Sequence, residues 1–354
     1  MGWVLYQRLV AIRHFLGSHV MDTRNAVLWV ALAMQMGCST WFQDPNTVLV
    51  KEPGASHYTV HQDIAKYAKD YWGYVALAAN AYELSWPDYK DKLRAQNKSV
   101  RQKSLLMQSF DPTCERAADQ LITVPGWYAW TGFPDRQFAK HADLSGLFFS
   151  VWEYRGPKGV SQVAIVFRGT NFDQHQDWTS NFRWFIPDWL RNEDQYSVTR
   201  DQVAPAFAAE LGKRIADGRL PSDVKVVAIG HSLGGGLAHQ LAYAFPRSVA
   251  SPLKVSQVIA FNSSPVTGWF STPNPPRTQN TEELAIDQIF EHGEALAYLR
   301  LPIDIIKPPG KGDPAVRDVR FDLQNRIGGI RNHNSRMFAC RLAQVAGEHP
   351  FAGK

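Results

Sequence analysis

The chain has 354 residues, 45% of them hydrophobic and 20% charged, with a formal net charge of +5. That length and apolar content suffice for a sizeable core and exclude a disordered, collagenous or disulfide-dense chain. The charge bias is too weak to indicate a nucleic-acid partner, and a mean hydropathy of −0.29 argues against a polytopic membrane protein. The three cysteines are Cys38, Cys114 and Cys340, and no two of them have the spacing of a zinc finger.

The first element is an apolar run at 26–34 (AVLWVALAM), preceded by Arg8, Arg13 and Arg24. A basic flank, a short apolar run and then small residues have the pattern of a secretory signal peptide. The run leads through Gln35, Met36 and Gly37 into Cys38 and Ser39. This resembles a bacterial lipoprotein signal, which implies removal of 1–37, a lipid on Cys38 and a membrane anchor through that lipid. Gln35 departs from the leucine usual in such signals, and Met21 offers an alternative start. Ser39 in place of an acidic residue implies the outer membrane; secretion is the alternative address. An uncleaved single-span anchor or a buried helix also stay open, although a span needs about 20 apolar residues. In an exported chain Cys114 and Cys340 become a possible disulfide.

After Cys38 no repeat or linker divides the chain, so 38–354 reads as one domain. Residues 62–83 carry apolar side chains at spacings of three and four, the signature of an amphipathic helix. The stretch 84–144 is mixed in character and yields no assignment. Short runs rich in Val, Ile and Phe then follow at 147–154, 163–167, 224–229, 255–261 and 286–290. Segments 202–216, 235–245 and 335–346 between and after them have helical character. Apolar strands alternating with helices predict an α/β fold with a mostly parallel sheet covered on both faces. The Pro-rich stretches 265–278 and 307–314 read as surface loops.

The chemistry concentrates where the strand at 224–229 runs into Gly230-His231-Ser232-Leu233-Gly234 and a helix begins at once. G-x-S-x-G between strand and helix is a nucleophile elbow, with Ser232 lifted above the sheet and Gly230 and Gly234 required because side chains there meet backbone. Alone, the pattern is also compatible with a tight turn. The backbone N–H of Leu233 is one donor for a developing oxyanion. A second motif is Val166-Phe167-Arg168-Gly169-Thr170, followed by Asp177-Trp178-Thr179-Ser180-Asn181. Together these resemble the class 3 lipase family over about residues 145–340. The resemblance implies an α/β-hydrolase fold, ester hydrolysis without a cofactor, and Thr170 as the second oxyanion donor. Arg168 is expected to anchor the loop and not to touch substrate.

In this fold the triad runs Ser, acid, His along the chain. Family members present an aspartate before a Leu-Pro pair; here Glu294 stands at the corresponding place, ahead of Leu301-Pro302. Asp304 and, less well, Asp287 are the alternatives. For the base, His333 lies in the polar loop Arg331-Asn332-His333-Asn334-Ser335 ahead of the last helix, as the histidine does in related enzymes. His231 is expected to point away from Ser232, His292 to lie too near the acid, and His349 to fall beyond the last helix. The resemblance implies a carboxylic ester substrate, most simply a lipid acyl ester. A thioesterase on the same triad and a non-catalytic lipoprotein that binds a ligand through this fold are the competing readings. The aromatic run Trp184-Phe185-Ile186-Pro187-Asp188-Trp189-Leu190 suits either an acyl-binding wall or core packing, and Trp127-Tyr128-Ala129-Trp130 has no assigned place. No calcium or zinc ligand pattern is present in the sequence.

Overall fold

The strands are β1 (Val48–Lys51), β2 (Thr59–His61), β3 (Trp127–Ala129), β4 (Phe149–Gly156), β5 (Gly159–Phe167), β6 (Lys225–His231), β7 (Val255–Phe261), β8 (Ala285–Glu291) and β9 (Ala315–Phe321). These come from a computed structural model that describes residues 44–86, 89–102, 114, 121–169, 195–247, 253–294, 296, 314–324 and 331–348. Among those residues the strands form one sheet in the order β2-β1-β9-β8-β7-β6-β5-β4-β3. Neighbours from β5 to β9 pair in parallel, and the two edges, β3-β4 and β1-β2, are antiparallel.

The protein is therefore α/β with a mixed sheet whose parallel part is its centre. The run expected at 147–154 differs from a parallel strand for a simple reason. It passes into β5 through Pro157 and Lys158 alone, a connection that permits a hairpin but not a crossover.

The helices are α1 (Ile64–Asn80), α2 (Tyr89–Gln102), α3 (Arg136–Leu144), α4 (Ala204–Ala216, entered through a π-helical turn at Thr199–Val203), α5 (Leu233–Ala244), α6 (Arg277–Thr281) and α7 (Ser335–Val345). Side-chain caps start three of them: Asp63 accepts from the Lys66 N–H, Asp135 from that of Phe138, and Asn334 from that of Met337. In β6 every residue from Val226 to His231 is buried, so both faces of the central strand are covered. Helix α5 packs on β5, β6 and β7; α1 packs on β5 and β6, and α7 lies against α1.

The unassigned stretch 84–144 contributes α2, β3 and α3 to the β3-β4 edge. Asn97 of α2 donates to the Ala129 carbonyl at 2.8 Å and accepts its N–H at 2.7 Å, which satisfies the outer backbone of the last strand. The aromatic run at 127–130 is core. Trp127 sits edge-on to Tyr74, and Trp130 donates to Glu153 at 2.7 Å while the Arg214 guanidinium lies 3.6 Å above its ring.

Cys114 and Cys340 form a disulfide that ties α7 to the chain 226 residues earlier. Among the described residues no helix is long and apolar enough to cross a membrane. The signal-like run at 1–37, Cys38, Thr170, the segments 177–181 and 184–190, Asp304 and His349 lie outside the described residues.

Two stability predictions follow from buried groups. Replacing both Cys114 and Cys340 by serine is expected to lower unfolding free energy by about 2–4 kcal/mol, since it frees a long loop in the unfolded chain; denaturant titration with and without reductant measures it. His239 in α5 is buried with neither ring nitrogen hydrogen-bonded, and burial lowers its pKa to about 4. The unfolded imidazole binds its proton near pH 6.5, so stability is lost as pH falls from there towards 4, at most about 1.4 kcal/mol per pH unit from this group. A His239→Leu variant should show a flatter stability profile between pH 6 and 4.5, and parallel profiles would refute this account.

Candidate active site

The parallel strands deliver their C-terminal ends to one edge of the sheet, where crevices form in open α/β folds. β6 ends in His231, and the next residue, Ser232, has φ 58° and ψ −128° before α5 begins at Leu233. For a residue with a Cβ this backbone is strained, at a cost of about 1–3 kcal/mol. Three main-chain hydrogen bonds hold it: Ser232 N–H to the Phe261 carbonyl at 3.0 Å, and the N–H groups of Ser264 (2.9 Å) and Gly235 (3.0 Å) to the Ser232 carbonyl. Ser232 occupies the N-cap position, yet its hydroxyl does not cap the helix. Among the described residues the buried Oγ has no hydrogen-bond partner.

The glycines of the turn are required by backbone on every side. A Cβ on Gly230 would overlap the Gly234 carbonyl, and one on Gly234 would overlap the Phe167 carbonyl. Gly169, the last described residue after β5, passes directly over the elbow. A Cβ there would lie 2.5 Å from the Tyr82 hydroxyl, 2.6 Å from the His231 carbonyl and 3.0 Å from Ser232 Cβ. The backbone leading into Thr170 thus runs against Ser232. Arg168 donates to the Leu84 carbonyl at 3.0 Å and stacks over Phe148, contacts that tie the end of β5 to the segment after α1.

At the end of β8 the chain turns through Gly293, with φ 66°, and brings Glu294 into full burial. Its Oε2 accepts the Leu296 N–H at 2.9 Å and lies 2.7 Å from His333 Nδ1. Against a carboxylate, which can only accept, Nδ1 is the donor of this bond. His333 is buried in a single 3₁₀ turn, Arg331–His333, directly before α7. Glu294 and His333, 39 positions apart, are therefore hydrogen-bonded to each other.

Asp287 is engaged elsewhere. Near the start of β8 it receives both Arg317 Nε (2.9 Å) and Nη2 (3.0 Å) and the Gln257 amide (2.8 Å). His292 donates its backbone N–H to the Phe321 carbonyl, and burial lowers its pKa. His231 is buried beside two other rings. Its ring lies 4.7 Å from that of His333, and its Nδ1 is 2.8 Å from the Tyr82 hydroxyl.

Tyr82 and His231 are the neighbours that sequence reasoning missed. Tyr82 follows α1, 149 positions before His231, and no local pattern announces such a pairing. Among the described residues no group of three or more His, Cys, Asp or Glu side chains is gathered to hold a metal ion. No known family model matches the chain, and no curated protein matches it in sequence.

The strain at Ser232 gives a direct test. Ser232→Gly relieves the backbone and is expected to raise stability by about 1 kcal/mol, whereas Gly234→Ala should prevent folding or cost more than about 3 kcal/mol. Thermal melts of the two variants beside Ser232→Ala separate the backbone effect from loss of the hydroxyl.

Proposed function

We propose that this protein is a serine hydrolase of the α/β-hydrolase type, similar to class 3 lipases, that cleaves carboxylic esters, most simply lipid acyl esters. The observation that carries the reading is the buried Glu294–His333 hydrogen bond of 2.7 Å at the same sheet edge as a strained, uncapping Ser232. Buried polar groups normally have a hydrogen-bond partner. Here a serine forgoes capping and a histidine is oriented by a carboxylate, which is the arrangement nucleophilic catalysis needs.

In the proposed reaction His333 Nε2 takes the proton of Ser232 Oγ as the oxygen attacks the ester carbonyl. Glu294 keeps the imidazole in the tautomer that leaves Nε2 basic and stabilises the imidazolium once it forms. The negative charge on the tetrahedral oxygen meets the N–H of Leu233, at the start of α5, and the donors of Thr170. The imidazolium then protonates the departing alkoxide, and water repeats the sequence on the acyl-serine. No step requires a metal or cofactor. In this reading the lipoprotein-like leader directs the enzyme to the cell envelope, with a lipid on Cys38 as its anchor, or to secretion, and the Cys114–Cys340 disulfide supports an oxidising compartment.

The test is active-site labelling by a fluorophosphonate. The folded protein should be labelled, and Ser232→Ala should not. Glu294→Gln is expected to lower ester turnover by about 10²–10⁴-fold with the fold intact, because the imidazole loses the acceptor that fixes its tautomer. Unlabelled folded protein would sink the reading. Rates on esters and thioesters of graded chain length then assign the substrate class.

A further inference from the structure

We infer that Asn262 is a positioning residue for the Glu294–His333 pair, an inference that rests on the serine-hydrolase reading of the site. Asn262 follows β7, is fully buried and has φ 42°, a left-handed backbone that few residues other than glycine adopt. Its own N–H donates to the Ile289 carbonyl of β8 at 2.9 Å. Its side chain reaches in two further directions. Oδ1 accepts the N–H of Glu291, three residues before the acid, at 2.9 Å. Nδ2 donates to the carbonyl of Asn332, the residue before the base, at 3.2 Å. Asn332 closes the ring by donating its own amide to the His292 carbonyl at 2.8 Å.

The acid turn and the histidine loop are thus tied to each other twice, through two asparagine side chains. The same short segment also holds the nucleophile. Phe261, one residue before Asn262, accepts the Ser232 N–H, and Ser264, two residues after, donates to the Ser232 carbonyl. One turn therefore sets the spacing of all three members of the triad.

The residue type follows from these demands. The position needs a left-handed backbone, which asparagine tolerates through its short polar side chain. It also needs one acceptor and one donor at the tip of that side chain. Glycine meets only the first demand, and aspartate lacks the donor. The loop carrying His333 is a single 3₁₀ turn and not a strand, so the sheet does not fix its height above the acid. The amide bridge does. A displacement on the order of 1 Å in such a constellation is enough to cost about a hundredfold in rate.

The experiment compares the full chain with N262G, N262D and E294Q. N262G keeps the backbone conformation and removes both side-chain bonds; N262D keeps the acceptor and removes the donor. Two readouts are taken: kcat and KM on a short-chain p-nitrophenyl ester, and the low-field proton NMR resonance of His333 Nδ1–H, identified by its change in E294Q. N262G is expected to lower kcat at least tenfold with KM within threefold, and to shift or broaden the resonance. N262D should fall between N262G and the unaltered protein.

A folded N262G with kcat within twofold and an unmoved resonance overturns the inference. If N262G does not fold, N262D decides it by the same two criteria. Absence of ester turnover and of Ser232 labelling in the unaltered protein overturns the hydrolase reading instead. In that event the resonance still shows whether Asn262 holds the Glu294–His333 bond.

Discussion

The turn from β6 into α5 is made in a single residue, and that residue is Ser232 at φ 58° and ψ −128°. A side chain can occupy this backbone only where the surroundings over-determine it. Here the next strand contributes Phe261 and Ser264 as hydrogen-bond partners, and the helix returns the Gly235 N–H. For the helix to begin so abruptly, its first turn must lie against the ends of β5 and β7. The overlaps that a Cβ would make at Gly230, Gly234 and Gly235 express that close approach. The placement of the glycines and of Ser232 at the strand ends is a consequence of one tight connection.

The second constraint is electrostatic. Two glutamates lie at the end of β8, both buried, and their surroundings separate their roles. Glu291 accepts the N–H groups of Leu323 and Gln324 through one oxygen, at 2.9 and 3.0 Å, and its other oxygen has no partner. Burial pushes its carboxyl well above the usual range. Glu294 instead meets a backbone N–H and the imidazole of His333. Glu291 braces the loop after β9, and Glu294 orients a histidine.

Much of the fold was legible because its signals are local. The helical period of 62–83, the apolar runs that became β5 to β8, and the strand–glycine–serine–glycine–helix sequence around Ser232 each report on neighbouring residues. Glu294 and His333 were picked out as the proposed acid and base only by combining chain order with the class 3 lipase resemblance, and their side chains lie 2.7 Å apart. The stretch 84–144 resisted reading for a physical reason. β3 is only three residues long and is stabilised by Asn97 from an otherwise polar helix, so its order comes from a partner and not from its own pattern. β1 and β9 pair across most of the chain, with Leu49 opposite Arg320, and neither carries a strong apolar run.

By itself, then, the sequence determined the elements whose stability is local and the one turn whose glycines have no alternative. It specified Ser232 as the residue that makes that turn, because strand, turn and helix are contiguous along the chain. Tertiary structure decided everything that depends on side chains meeting across long separations. It gave Asp287 to Arg317 and set Glu294 against His333, brought the His231 ring beside His333 and Tyr82, and joined Cys114 to Cys340. It also gave Asn262, unremarkable in sequence, hydrogen bonds to both the acid strand and the histidine loop. The physical reason is that a side chain's direction and burial are set by the whole sheet and the helices packed on it. Local order is written in neighbouring residues, whereas a site is a distance between distant ones.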